Sequence, residues 1–350
     1  MSPSPDPFAL SCPRPLRHDT VQLAHGGGGR LMKDLIENVF LPALGTDPQG
    51  LHDSAVLEAG GARLAFTTDG FVVHPRRFPG GDLGELAVYG TVNDLAMAGA
   101  RPLALSAAFI LEEGLPFDEL TGLVLSLRSA ADRCGVRVVT GDTKVVDRGK
   151  GDGIFITTTG VGLVPPGVEV HPRRVAPGDA VLVSGDLGRH GIAVMSVREG
   201  LAFETPITSD CGPVHHLAAA LLEDGLDIHC LRDPTRGGLA SVLNEIASAA
   251  GVAIEAREDT LPVDEAVAAA CEILGLDPLY VACEGRLVAF LPAAQADRAL
   301  ALLRAHPEGT GATVIGRVLD GPAGRVTLRT SLGTTRLLDL LSGEQLPRIC

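Results

Sequence analysis

The chain has no tryptophan, and aromatic residues make up only 3% of its 350 positions. Base-stacking platforms for single-stranded nucleic acid are built from such rings, so that class of function is disfavoured. Basic residues are also in the minority, 29 Lys and Arg against 43 Asp and Glu, which gives a net charge of −14. An acidic chain is a poor partner for duplex DNA or an anionic membrane surface. No apolar run approaches the roughly 18 residues that span a bilayer. The first residues, MSPSPDPFALSCPRPLRHD, carry five prolines and no apolar h-region, so they read as a flexible arm over 1–20 and not as a secretory signal. The seven cysteines (12, 134, 211, 230, 271, 283 and 350) are odd in number and contain no CxxC pair. That pattern argues for a reducing cytoplasm and against a disulfide framework or a zinc ribbon. GxxxxGK[ST] and GxSxG are both missing, so neither a Walker loop nor an esterase nucleophile elbow is present.

What remains is an aliphatic, turn-rich composition. Hydrophobic residues account for 45% and charged residues for 21%, as in a folded protein. The length suggests two domains, because one core rarely grows past roughly 250–300 residues. Short β-type runs at 62–69, 102–111, 136–142 and 154–164 alternate with helical patterns at 83–99 and 117–134. The proline-rich stretch 165–179 reads as a boundary, and strands alternate with helices again from 179 to 330. This gives an α+β or α/β protein with an N-terminal domain over 21–166, a C-terminal domain over 175–335 and a tail over 336–350.

Chemistry-bearing residues fall into three groups. His25, Gly26, Gly27, Gly28 and Gly29 precede a helical pattern carried by Leu31, Leu35, Ile36, Val39 and Phe40. Glycines let backbone N–H groups approach a phosphate, and a helix N-terminus favours its charge. The same run would also serve as a plain hinge. Four aspartates, Asp53, Asp69, Asp94 and Asp142, sit beside turns, and two of them close β-type runs. Such hard oxygen ligands suit a Mg²⁺ that bridges nucleotide phosphates, although any single one is accounted for by turn chemistry. Lys144 follows in GDTKVV, and RDPTRGG supplies Asp233, Arg236 and a glycine pair at a helix start. Glu284, between apolar stretches, is placed to be a partly desolvated general base. His190 reads as a structural loop histidine. Cys350 is the last residue, behind a proline that forbids helix. Its thiol sits beside a carboxylate that disfavours thiolate, with Arg348 as a partial offset. Such a thiol suits a mobile carrier arm.

HGGGG, TTDGFVVHP, NDLAMAGA, AFILEEGLP, VTGDTKVVDRG, RDPTRGG, CEG and terminal PRIC occur together and in order. In this combination the chain, from about residue 20 to Cys350, resembles the HypE hydrogenase maturation factors, the carbamoyl dehydratases. Their superfamily includes aminoimidazole ribonucleotide synthetase, selenophosphate synthetase and thiamine-monophosphate kinase. The resemblance implies a two-domain PurM-like fold with an ATP-binding, dimerising N-terminal domain. It implies a carbamoyl group loaded on Cys350 by the carbamoyltransferase HypF and its ATP-dependent dehydration to a thiocyanate. The cyano group would then pass to iron on the HypC–HypD scaffold of the [NiFe] site. With those roles, Asp53, Asp69, Asp94 and Asp142 would hold Mg²⁺. His25 to Gly29, Asp94, Thr143, Asp233 and Arg236 would bind the nucleotide. Lys144, Glu284 and Cys350 would be catalytic. The competing readings are a small-molecule kinase of the same superfamily that leaves Cys350 unused, and a non-catalytic thiol scaffold.

Overall fold

The computed structural model describes residues 18–45, 52–200, 207–341, 346 and 348–350. The proline-rich arm, as far as residue 17, lies outside them.

The first half is built on a five-stranded sheet of β1 (Ala55–Ala59), β2 (Ala62–Phe71), β5 (Arg101–Glu112), β6 (Arg137–Val146) and β7 (Ile154–Val164), with β3 (Arg77–Phe78) and β4 (Gly81–Asp82) forming a separate small ribbon. The strand order is β1-β2-β7-β5-β6. β5 and β6 run parallel and the other neighbours antiparallel. Ahead of the sheet, α1 (Arg30–Leu35) passes through one π turn, Ile36–Phe40, into α2 (Leu41–Leu44), so the 30–44 stretch is helical but wound unevenly.

α3 (Leu83–Met97) is apolar around nearly its whole circumference and is accordingly buried along most of its length. It lies between the first sheet, α4 (Phe117–Arg133) and α6 (His215–Glu223) of the second half. Asp82 starts it: its Oδ1 accepts from Gly84 N at 2.9 Å and Glu85 N at 3.1 Å. These bonds satisfy donors that a helix start leaves orphaned.

The second half is a seven-stranded mixed sheet in the order β14-β13-β10-β12-β8-β11-β9. Its strands are β8 (Asp179–Val183), β9 (Cys230–Arg232), β10 (Ala253–Arg257), β11 (Val288–Pro292), β12 (Thr313–Leu319), β13 (Arg325–Arg329) and β14 (Thr335–Leu337). β8 sits inside the sheet and is buried at all five residues, as its unbroken apolar run requires. Residues of α6 and α9 (Ala296–Arg304) share a core with one face, and those of α7 (Gly238–Ala250) share a core with the other. α5 (Arg189–Arg198) and α8 (Glu265–Leu274) instead contribute to the core of the first half. There Ile192 and Val267 join Phe71, Val73 and Phe78, and the tail residues Leu346 and Ile349 fill the same cluster. One apolar core therefore runs across both halves and includes the end of the chain.

The Asp82 cap can be checked directly. Asp82→Ala should lower unfolding free energy by about 1–2 kcal/mol in urea titration, and Asp82→Asn should recover most of it.

Candidate active site

Three carboxylates from distant parts of the sequence converge at the junction of the two halves. Asp53 precedes β1, Asp94 lies in the last turns of α3 and Asp233 follows β9. One oxygen of each falls within 4.8 Å of the others. Asp53 also meets Arg232 Nε at 2.7 Å, and the Thr67 hydroxyl donates to Asp94 at 2.8 Å. Oδ2 of Asp53 and Oδ2 of Asp233 are buried with no hydrogen-bond partner among the described residues.

The electrostatics follow from that crowding. Burial, reinforced by Asp233, Glu245 and Asp69 and opposed by Arg232, raises the Asp53 carboxyl well above its ordinary range. Burial, then Asp69, Asp233 and Asp53, does the same to Asp94. Asp233 is raised to about 6, chiefly by burial. Like charges out of water cannot all ionise unless a counter-charge joins them. The orphaned hard oxygens therefore fit a divalent cation such as Mg²⁺.

Two of the four expected ligands lie outside this three-carboxylate cluster. Asp69 lies beside the cluster but is held by Arg236, at 3.2 Å. Asp142 is outside the cluster of its own chain. In the sheet, Asp69 pairs with Thr158, Thr158 with Ala107, and Ala107 with Gly141, the neighbour of Asp142. That is three strand spacings, roughly 14 Å. Asp142 is instead largely exposed on β6 and paired with Lys144 at 2.8 Å. Thr143 and Lys144 lie on that same exposed strand, away from the aspartates. Asp233, expected at the nucleotide, takes a place among the candidate metal ligands.

The glycine loop and the RDPTRGG turn form one wall. Gly28 has φ +75°, and a Cβ there would stand 2.7 Å from the Arg236 carbonyl. Its own carbonyl accepts from Ser241 Oγ on α7 at 3.1 Å. Gly238 lies equally close under the 279–281 segment, where a Cβ would be 2.7 Å from two carbonyl oxygens. The paired glycines are therefore required by packing at the start of α7. Gly26 and Gly27 line a pocket with Arg236, Gly237, Val72 and Cys350. Gly29 caps α1, and the His25 ring turns back to accept from Gln22 N at 2.9 Å.

Glu284 is 3% exposed, and its Oε1 has no partner among the described residues. Burial, then Asp233, Asp210 and Asp69, pushes its carboxyl well above the ordinary range, with Arg236 acting the other way. The preceding Cys283 N–H donates to the Pro234 carbonyl at 2.9 Å, which ties the CEG turn to RDPTRGG. The negative charge of Cys350 is the leading cause that raises the Arg236 guanidinium, with Asp69 and Glu284 also contributing. Sequence reading missed Arg232, the half-buried cation that offsets part of the acidic cluster's charge. An Arg directly before Asp233 at the end of an apolar strand was the available signal.

The AIR synthase related N-terminal domain model matches residues 51–164, and the C-terminal domain model of that family matches 176–329. Carbamoyl dehydratase HypE of Rhodobacter capsulatus is 54% identical over 340 residues, covering 96% of this chain and 99% of that protein. Two solved structures are also close. A HypE–HypF complex gives a TM-score of 0.84 at 47% identity, covering 88% of this chain and 99% of that one. HypE in complex with ATP gives 0.81 at 47%, covering 95% and 100%.

The raised carboxyls have a measurable consequence. The Asp233 carboxyl keeps its proton in the folded chain up to about 6, whereas the unfolded chain releases it near 3.8. Folding stability without divalent ions should therefore fall as pH rises through that window. Asp233→Asn should flatten the fall, and the thermal stabilisation given by Mg²⁺ should be larger at pH 7.5 than at pH 5.5. A thermal-shift series over pH with and without Mg²⁺ measures both. The two domain matches and the near-full-length identity lead to one assignment: the chain belongs to the HypE carbamoyl dehydratase family of AIR synthase related proteins.

Proposed function

We propose that this chain uses ATP to dehydrate a carbamoyl group carried on Cys350 to a thiocyanate, the cyano donor in [NiFe] hydrogenase maturation. The observation that carries the reading is that Cys350 lies in the same pocket as Gly26, Gly27, Arg236 and Gly237. A small-molecule kinase would have no use for its own terminal thiol there.

The chemistry needs three things. An amide oxygen is a poor leaving group, and transfer of the ATP γ-phosphoryl to it lets it depart as phosphate. One nitrogen proton leaves as the oxygen is phosphorylated and the other as phosphate departs; a base takes one and the released hydrogen phosphate carries the other, leaving S–C≡N, ADP and phosphate. Glu284 is that base: burial makes its carboxylate, once ionised, more basic than an exposed one. Arg236 faces both the thiol-bearing residue and the acidic cluster and holds transferring oxyanions. Asp53, Asp94 and Asp233 would hold Mg²⁺, which supplies charge neutralisation at the phosphates. The carbamoyl donor is the carbamoyltransferase HypF, and the acceptor of the cyano group is the HypC–HypD iron scaffold. A cytoplasmic location keeps the thiol reduced.

The protein acts as a homodimer. β1 is exposed at every residue and β6 at all but Val146. Exposed Val56, Leu57, Phe66, Val138, Val139 and Val145 make apolar patches on this sheet that a monomer would leave in water. A second copy docked there gives Asp142, Thr143 and Lys144 a site to serve, with Lys144 neutralising the transferring phosphoryl.

Two measurements test this. In intact-mass analysis with HypF, carbamoyl phosphate and ATP, the wild-type protein should gain one carbamoyl group and then lose one water. Cys350→Ala should show neither shift while still binding ATP. Separately, Lys144→Ala and Cys350→Ala should each be inactive alone and should recover activity when mixed and allowed to exchange subunits. Failure to complement assigns Lys144 to its own chain or to no role.

A further inference from the structure

His190 lies in the first turn of α5, fully buried, and its ring touches the end of the chain. Nε2 is 2.6 Å from the Ile349 carbonyl, and Nδ1 is 2.8 Å from Ser209 Oγ. Ser209 Oγ accepts from Cys211 N at 2.9 Å and keeps one proton to give to Nδ1. A neutral ring that accepts at Nδ1 carries its proton on Nε2 and so donates it to the Ile349 carbonyl. Burial lowers the basicity of the ring and keeps it neutral, against Asp210 and the Ile349 carbonyl. Asp210 is the charged group facing it. The edge-on Phe78 ring closes another side at 5.2 Å, and the neighbouring Arg189 is turned to Asp186.

The backbone of the tail explains why this bond matters. Val72 N donates to the Cys350 carboxyl end at 3.1 Å and His74 N to the Arg348 carbonyl at 3.1 Å. The register is that of an antiparallel pair, in which carbonyls of successive residues point to opposite edges. The Ile349 carbonyl therefore points away from residues 72–74, into the buried side, and His190 satisfies it. The tail is bound by the first half through its backbone and by the second half through this imidazole and through Arg198 at the end of α5, whose Nη2 donates to the Arg348 carbonyl at 2.6 Å.

The same bond reaches Glu284. Ser209 begins a segment whose Asp210 Oδ2 accepts from Gly285 N at 3.1 Å. The carbonyl of Gly212 in that segment accepts from Asn93, the neighbour of Asp94, at 3.0 Å. Tail, base and acidic cluster are thus referred to one short stretch of chain.

We propose that His190 is a positioning residue that latches the tail: by donating to the Ile349 carbonyl it holds the cargo-bearing thiol in the pocket, in register with Glu284, for the ATP-dependent step. The role rests on the dehydratase reading above. It separates two events, because the thiol must leave the pocket to be loaded by a partner enzyme and return to react.

The test uses the full-length protein in two arms. In the first, iodoacetamide alkylation of Cys350 is followed by mass spectrometry without nucleotide. His190→Ala orphans a buried carbonyl and should speed alkylation by roughly tenfold or more. His190→Gln, whose amide N–H can stand near the Nε2 position, should return most of the protection. In the second, protein already carbamoylated on Cys350 is mixed with saturating ATP. His190→Ala should slow dehydration by roughly tenfold with an unchanged ATP half-saturation, and His190→Gln should recover it, while carbamoyl loading by HypF is undiminished in both. Unchanged alkylation in His190→Ala, no recovery in a folded His190→Gln, or an equal loss of loading overturns the latch. If His190→Ala fails to fold, His190→Phe, which keeps a ring in the site but has no N–H for the Ile349 carbonyl, should speed alkylation as well, and wild-type protection there overturns it. Should the wild-type protein form no thiocyanate, the dehydratase reading fails, and the alkylation arm still decides whether His190 holds the tail.

Discussion

The arrangement depends on one electrostatic constraint: several carboxylates forced together out of water. Burial raises the carboxyls of Asp53, Asp94, Asp233 and Glu284, and the charge of Asp69 adds to the effect on each. Left alone, such a cluster would take up protons, because the low-dielectric interior makes each added negative charge costlier than the last. Two arginines offset part of that charge, Arg232 from the end of β9 and Arg236 from the turn before α7. The remainder is a standing demand for positive charge, which is what a Mg–nucleotide site has to present. The fold serves the constraint by spending buried helix on it. α3 is buried along most of its length, and Asn93 and Asp94 face two different partners one residue apart.

A terminal thiol delivered into such a pocket changes the kinetic problem. A free carbamoyl compound would have to be captured from solution, whereas a tethered one is presented at a high effective concentration. In the proposed reaction the limitation is access, since one thiol would serve a loading enzyme and an internal site in turn. The tail answers that with individually weak contacts: backbone pairing to Val72 and His74, the His190 bond, the Arg198 bond to the Arg348 carbonyl, the Arg348–Asp152 ion pair, and two apolar plugs, Leu346 and Ile349. Each net hydrogen bond is worth only about 1 kcal/mol, so docking stays reversible.

How much of this the sequence revealed depends on the range over which each signal acts. Local periodicity marked β7 over 154–164, matching Ile154–Val164, and placed α3 and α4 within two residues at their ends. The strands β1, β9 and β14 escaped because they are short or, like β1, exposed along their whole length, so no alternation betrays a buried face. In the site, residue types were legible and partnerships were not. Asp53 and Asp94 were read as ligands because hard oxygens beside turns suggest it. That Asp233 replaces Asp69 and Asp142 in the cluster follows from Arg236 claiming Asp69 and from sheet order carrying Asp142 three strands away. Neither fact has a local trace. His190 looked structural for the same reason, since its partner lies 159 residues further along the chain.

The exposed strand that carries Asp142 and Lys144 brings these points together. A strand bearing an acid, a base and several valines, with nearly every residue in water, is an unstable way to end a sheet. Within one chain its ion pair is solvent-screened and contributes little. Against a second copy the valines gain burial, and the lysine gains a function that its own acidic cluster, three strands off, does not offer. In the proposed dimer, the surface that is hardest to justify in the monomer would be the one that completes the chemistry.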